Sequence, residues 1–245
     1  MNEAEAPVEL SVIAPCYNEE LNVAELTRRM LAMFETLPVR AELLLIDDGS
    51  KDRTWEKIQE EVAKDPRVRG EKHPKNRGIE GGWLTGLAIA HGRLVALIDS
   101  DLQNPPEDIA RLHEAYREGG CDIVQGVRHP VNVHTRLFFS RALSHILNAA
   151  FLMNLRDNKS GFLLCSKEVL EDLLDHKFHY RGFQNFIGAA MGVKGYKVRE
   201  VDTEFRPRHA GVSFLSDLPI WFSLKIAGEL VKYRIETLPS QLGRK

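Results

Sequence analysis

Residues 94–107 read LVALIDSDLQNPPE, and this stretch decides the architecture. Leu94–Ile98 is a short apolar run with β-branched members, the pattern of a strand buried on both faces. Asp99 and Asp101 follow at its exit. Asn104, Pro105, Pro106 and Glu107 then read as an N-cap, first-turn prolines and a capping-box acid opening a helix. The same strand–loop–helix unit recurs through the first half of the chain. Strand-like runs occur at Leu10–Ala14, Glu42–Ile46 and Asp122–Val127, with a weaker one at Val68–Lys72. Helix-period segments lie between them at Glu20–Leu37, Thr54–Lys64, Ile79–His91 and Pro106–Glu118. Asn18 before Glu19 and Glu20 reads as a further cap with acids in the first turn. Such alternation predicts an α/β fold: a mainly parallel central sheet with helices on both faces.

Beyond Val127 the alternation breaks. Helical patterns are predicted near Arg136–Leu152, Lys167–His176 and Phe183–Gly192, and strands at Gly161–Ser166 and Tyr196–Phe205. No repeat or linker interrupts the chain. In Asp217–Glu236, Lys225, Glu229, Lys232 and Glu236 form one helical stripe. Ile220, Trp221, Phe222, Leu224, Leu230, Val231 and Ile235 cover most of the rest. This predicts an amphipathic helix that packs on the core or lies at a membrane interface.

The 245 residues are 43% hydrophobic and 28% charged with a net charge of −2, which excludes disordered, collagen-like and coiled-coil classes and argues against a nucleic-acid binder. Three separated cysteines, Cys16, Cys121 and Cys165, suggest neither a disulfide framework nor a zinc cluster, and point to a reducing cytoplasm with the thiols as small buried hydrophobes. The acidic N-terminus is unlike a signal peptide. The longest uncharged stretch, Ala142–Leu155, is too short and polar to span a bilayer.

Three predicted strand ends carry distinctive sequences: Pro15-Cys16-Tyr17-Asn18-Glu19, the run from Asp47 to Thr54, and Asp99-Ser100-Asp101-Leu102-Gln103. Ligands bind at the carboxyl edge of open parallel sheets. Two carboxylates at i and i+2 repel unless a cation lies beside them, and oxygen-only ligands suit Mg²⁺ or Mn²⁺ with a diphosphate completing the shell. Each motif alone has a bland alternative, a capped turn with solvated acids. Their joint occurrence at successive strand ends favours a nucleotide site. The histidines His129, His134, His145, His179 and His209 show no zinc spacing.

The set PCYNE, DDGSKDRT, NRG and DSDLQNPPE resembles the family 2 glycosyltransferases of the GT-A fold, and within them the branch that makes polyprenyl-phosphate sugars. Asp157-Asn158-Lys159-Ser160-Gly161-Phe162, His179-Tyr180-Arg181 and Arg208-His209-Ala210-Gly211-Val212-Ser213 resemble later elements of that branch. The resemblance spans about Leu10 to Phe214. It implies a catalytic domain over residues 1–214, with a nucleotide-sugar half at about 8–128 and an acceptor half at about 129–214. Residues 215–245 would form the amphipathic helix.

By that resemblance Pro15, Tyr17, Glu19 and Asp48 hold the nucleotide, and Asp99 lies near the ribose and sugar. Asp101 and Gln103, with Asp99, are the metal positions. Arg128, Arg136, Ser140 and Arg208 meet the acceptor phosphate or donor diphosphate. Arg141 and Arg181 are further arginine candidates. Asp101, Asp157 and Arg128 are the candidate catalytic residues. Phe214 stands where a lysine is common, and Gly81-Gly82 is an unusual pair.

The implied activity is metal-dependent inverting transfer of a hexose, from a GDP-mannose or UDP-glucose type of donor to a polyprenyl phosphate, at the cytoplasmic face of a membrane. Relatives often carry transmembrane helices after this domain. This chain is therefore expected to be a peripheral enzyme or a truncated one, with a homo-oligomer or a membrane-protein partner left open. The alternatives are transfer to a soluble glycan hydroxyl, and a non-catalytic nucleotide-sugar-binding or scaffold protein. A dinucleotide-binding oxidoreductase is disfavoured because no GxGxxG follows the first strand.

Overall fold

Seven strands form one sheet in the order β3-β2-β1-β4-β6-β5-β7 in the computed structural model, which describes residues 7–130, 148–149, 154–176, 183–210 and 228–237. The strands are β1 (Leu10–Cys16), β2 (Ala41–Asp47), β3 (Val68–Lys72), β4 (Leu94–Leu97), β5 (Ile123–Pro130), β6 (Leu163–Ser166) and β7 (Val198–Phe205). The helices between them are α1 (Val23–Phe34), α2 (Thr54–Val62), α3 (Gly78–Ile89), α4 (Asp108–Arg117), α5 (Lys167–Leu174) and α6 (Ile187–Lys194). A 3₁₀ turn, Phe183–Phe186, leads into α6, and residues 228–237 form a last described helix, α7.

Strands β1 to β4 pair in parallel, and β5 pairs β7 in parallel; β6 alone runs antiparallel, to both β4 and β5. Pairing of Cys16 with Asp47, and of Ile13 with Leu97, brings the exits of β2, β1 and β4 to one edge. Ile13, Leu44, Val95 and Leu97 face one core with Trp83, Leu170, Phe183 and Met191. Val12, Leu43, Leu45 and Ala96 face the other with Met30, Ile58, Ile109 and Leu112. Burial on both faces explains why these strands read as continuous apolar runs.

The Gly81-Gly82 region brings α3 close to β1. A Cβ on Gly86 would lie 2.4 Å from Ile13 Cγ2, and one on Gly82 would lie 2.8 Å from Pro15 Cβ.

Two predicted caps are not made. The α1 N-cap is Asn22, whose side chain makes no capping hydrogen bond, while Asn18 adopts a left-handed φ of 55° in the loop before it. Asn18 is instead used between loops: its Oδ1 accepts the Lys51 N–H at 2.9 Å and its N–H donates to Ser50 Oγ at 3.0 Å. Likewise α4 begins at Asp108 with Glu107 as N-cap. The Asp108 N–H bonds the Pro105 carbonyl at 3.0 Å, so backbone closes the first turn, and Glu107 is held by Arg29 Nε at 2.8 Å. Asn104 is left buried beside the β4 exit.

Of the predicted C-terminal helix, residues 228–237 are helical; 215–227 and 238–245 lie outside the described residues. Tyr233 is buried in the first core, its ring centroid 6.1 Å from that of Phe183, while Val231 and Ile235 are exposed. No helix among the described residues is long and apolar enough to cross a membrane. Cys16 and Cys165 are buried, as expected, and Cys121 is half-buried.

Candidate functional site

Three loops at the carboxyl edge are joined by side chains. Thr54 Oγ1 accepts the Glu19 N–H at 2.8 Å, and the Arg53 N–H donates to Glu20 at 3.1 Å. At the β2 exit Asp48 faces the start of α3, where helical N–H groups lack internal partners. Its Oδ1 accepts the Arg77 N–H and its Oδ2 the Gly78 N–H, both at 2.8 Å. His73 Nδ1 lies 2.7 Å from Asp48 Oδ1, and its Nε2 lies 2.8 Å from Thr85 Oγ1 on α3. Gly49 has a φ of +72°, and a Cβ there would lie 2.6 Å from the Lys75 carbonyl carbon, so the turn beside Asp48 requires glycine.

The β4 exit holds the two acids. Between them and Gln103, buried Leu102 has a φ of 62°, a conformation costing a non-glycine residue about 1 kcal/mol or more. The Gln103 N–H donates to Asp101 Oδ1 at 3.0 Å, closing the turn. Burial, and then the neighbouring Asp101 charge, push the Asp99 carboxyl up to about 6. Burial likewise raises Glu19 above the ordinary carboxylate range.

The segment after β7 crosses over these acids. Arg208 Nη1 donates to Glu19 Oε1 at 3.0 Å and Nη2 to Asp101 Oδ2 at 3.1 Å. The His209 N–H meets the Asp101 carbonyl at 3.3 Å and the Arg206 N–H the Gln103 carbonyl at 2.9 Å. Asn22 Nδ2 bonds both Glu19 and the Ala210 carbonyl.

On the other side of Asp99, Arg128 on β5 grips Asp157 bidentately, Nε to Oδ2 at 2.7 Å and Nη2 to Oδ1 at 2.9 Å, and stacks 5.5 Å from the Phe205 ring centroid. Burial opposes ionisation of Asp157, but the Arg128 bonds outweigh it and hold the carboxyl below its usual range. Burial, then repulsion from Arg128, depresses the Lys159 ammonium.

The structure thus brings together Pro15, Tyr17, Glu19, Asp48, Asp99, Asp101, Gln103, Arg128, Asp157 and Arg208 along one sheet edge. Arg136, Ser140, Arg141, Arg181 and the 211–213 part of the later motif lie outside the described residues. Among the described residues no cluster of three or more His, Cys, Asp or Glu side chains is arranged to hold a metal. Asp99, Asp101 and the Gln103 carboxamide, at the β4 exit, are of the oxygen-donor type that suits a hard divalent cation. Burial and, after it, repulsion from Asp101 raise Asp99, and a cation beside the two acids would relieve both.

The glycosyl transferase family 2 model matches residues 11–177. The chain belongs to glycosyl transferase family 2. A dolichol-phosphate mannosyltransferase of Pyrococcus furiosus is 33% identical over 237 residues, covering 94% of this chain and 65% of that protein. An undecaprenyl-phosphate 4-deoxy-4-formamido-L-arabinose transferase of Pectobacterium carotovorum is 31% identical, covering 86% of this chain and 64% of that protein. The chain therefore spans just under two thirds of the length of these curated relatives. Among solved structures, glucosyl-3-phosphoglycerate synthase of Mycobacterium tuberculosis, in complex with Mn²⁺, UDP-glucose and phosphoglyceric acid, superposes with a TM-score of 0.66 at 20% identity. That match covers 98% of this chain and 82% of the other. These neighbours share the GT-A fold, as the sequence motifs predict.

Several residues beside these loops were not singled out as site residues by the sequence. His73 has no motif around it, and Asn22 follows PCYNE without spacing that marks it. Lys159 lies inside the DNKSGF string, and Asn104 inside DSDLQNPPE, where both could have been singled out. Gln184 had no signal.

Proposed function

We propose that the chain is an inverting glycosyltransferase that moves a hexose from a nucleotide diphosphate sugar to a polyprenyl phosphate at a membrane surface. The observation that carries this reading is Arg208, from the end of β7, meeting Glu19 and Asp101 at the ends of β1 and β4. A cationic group thus faces acidic residues where a donor diphosphate and an anionic acceptor would meet. The relatives named for dolichyl and undecaprenyl phosphate support the acceptor class.

Asp99, Asp101 and Gln103 would hold Mg²⁺ or Mn²⁺, which supplies Lewis-acid stabilisation of the departing diphosphate. Glu19, Tyr17 and Pro15 would line the nucleotide, with Asp48 fixing the α3 N-terminus beside it. An acceptor phosphate monoester is already largely anionic near neutral pH, so no general base is needed. Its oxygen attacks the anomeric carbon while the carbon–oxygen bond to the diphosphate breaks. The electron pair leaves on the nucleoside diphosphate, and the anomeric configuration inverts. Asp157 acts as a positioning residue: it takes Nε and Nη2 of Arg128 and aims the guanidinium along the cleft beside Asp99. Arg208 serves the phosphates, and Arg136 and Ser140 belong to the same proposal. Exposed Val231 and Ile235 support contact with a lipid surface on the cytoplasmic side.

The test is a panel of GDP- and UDP-sugars with polyprenyl phosphate and Mn²⁺, scored for a labelled lipid-soluble product. Such product supports the reading. Transfer to a soluble glycan alone, or donor binding without turnover, overturns it in favour of the corresponding alternative.

A further inference from the structure

A cleft of about 30 Å³ opens beside Asp99, between α3 and the 157–161 segment, and Trp83, Asn104, Arg128, Lys159 and Gln184 line it. That space holds roughly two waters. It is far too small for a pyranose ring, but it fits an arm of one carbon and one oxygen. Ile79 and Trp83 give it an apolar wall, and a Cβ on Gly161 would come within 3.1 Å of the Trp83 ring, so glycine keeps that side thin.

Two polar groups around the cleft are engaged by neighbouring residues. Arg128 is held by Asp157, and the Ser160 carbonyl accepts Gln125 Nε2 at 2.8 Å. Asn104 is different. It is 2% exposed, and its Oδ1 is buried without a hydrogen-bond partner. The helix cap that its sequence position suggests is not made, because α4 starts four residues later. Of the buried carboxamide oxygens without a partner among the described residues, this one belongs to a residue lining the cleft, and a ligand donating to it would satisfy it. Asp99, on the same cleft, places that ligand at the sugar end of the donor.

We propose that this cleft receives the hydroxymethyl arm of the donor's hexose, and that Asn104 is a specificity-determining residue whose carboxamide accepts the hydroxyl proton. The inference rests on the proposed glycosyl transfer and narrows its donor class. Donors with a primary hydroxyl at C6 are used well. Their 6-deoxy analogues and the corresponding pentoses leave Asn104 unmet and are used poorly.

Steady-state kinetics with polyprenyl phosphate and Mn²⁺ test this, comparing a nucleotide hexose, its 6-deoxy analogue and the pentose carrying the same nucleotide. The unaltered protein should favour the hexose about 100-fold or more in kcat/KM. Asn104→Ala should cut that preference to about tenfold or less, while affinity for the nucleoside diphosphate alone, measured by calorimetry, changes less than about twofold. Asn104→Ser, which keeps a hydroxyl in the cleft, should recover part of the preference and carries the comparison if the alanine variant melts early. Indifference of the unaltered protein to the 6-hydroxyl, or full preference retained in both variants, overturns the assignment of the cleft. Transfer from no nucleotide sugar at all overturns the parent reading and this one together.

Discussion

Arg208 is bonded to Asp101, one of the carboxylates proposed to hold a divalent cation, and replacing it should tighten metal binding. Its guanidinium donates to Glu19 Oε1 at 3.0 Å and to Asp101 Oδ2 at 3.1 Å, with the Arg208 side chain 24% exposed. Hydrogen bonds to charged groups contribute about 1.5–3 kcal/mol each when buried. Solvent access discounts the cost of displacing it to about 1.4 kcal/mol, or tenfold in affinity. Arg208→Ala should therefore lower the Mn²⁺ Kd about tenfold without nucleotide, read from the electron paramagnetic resonance signal of free Mn²⁺. Turnover should fall in the same variant, because a phosphate contact is lost. Simple removal of a nearby positive charge is controlled by Arg206→Ala, since Arg206 is paired with Glu204 at 2.7 Å and its loss changes only longer-range electrostatics. That control should move the Kd less than about threefold. Unchanged or weaker Mn²⁺ binding in Arg208→Ala, or an equal effect of Arg206→Ala, would refute the competition.

Asp101→Ala should abolish sugar transfer while leaving the far-ultraviolet circular dichroism spectrum intact; normal turnover would remove the metal assignment. Arg128→Ala and Asp157→Ala should each destabilise the fold by about 1–3 kcal/mol, and the double variant should cost less than their sum, because each single change strands the other charge. Additive urea midpoints would show that the pair is not coupled. Gly86→Ala should cost about 1–3 kcal/mol, since the new Cβ would lie 2.4 Å from Ile13 Cγ2, and wild-type stability would mean that α3 can move away from β1. Replacing both Val231 and Ile235 by Glu should weaken co-sedimentation with anionic liposomes without lowering activity on a detergent-solubilised acceptor; equal sedimentation would place the lipid contact elsewhere.

The strands and helices of the first half were legible because both faces of the sheet are buried and α1, α2 and α4 each have one apolar side. Val68–Lys72 was predicted with its observed limits. Helix starts were misread at Asn18 and Asn104 for a shared physical reason. Cap-forming residue types also suit loops that bridge strand exits, and here Asn18 ties the β1 loop to the β2 loop. Local spacing does not distinguish a side chain bonding its own helix from one bonding a neighbouring loop. The antiparallel β6 was equally hidden, since LLCS reads as apolar in either direction.

What spacing cannot show is how the charge at the β4 exit is balanced. Asp99 and Asp101 look from sequence like a pair awaiting a cation, and the nearest basic residues in the chain belong to other elements. In the folded protein the first positive group to meet Asp101 is Arg208, 107 positions later. It reaches Asp101 because β7 closes the far edge of the sheet beside β5 and returns its trailing segment over the β4 exit, where the Arg206 N–H is tied to the Gln103 carbonyl. The donor and acceptor halves are therefore linked electrostatically before any ligand arrives. On the proposed reading, a cation and diphosphate at Asp101 would release Arg208 from its carboxylates and free the same guanidinium to hold phosphate. One residue would then couple loading of the donor to readiness for the anionic acceptor, whereas a neutral side chain at position 208 would leave Glu19 and Asp101 without this guanidinium.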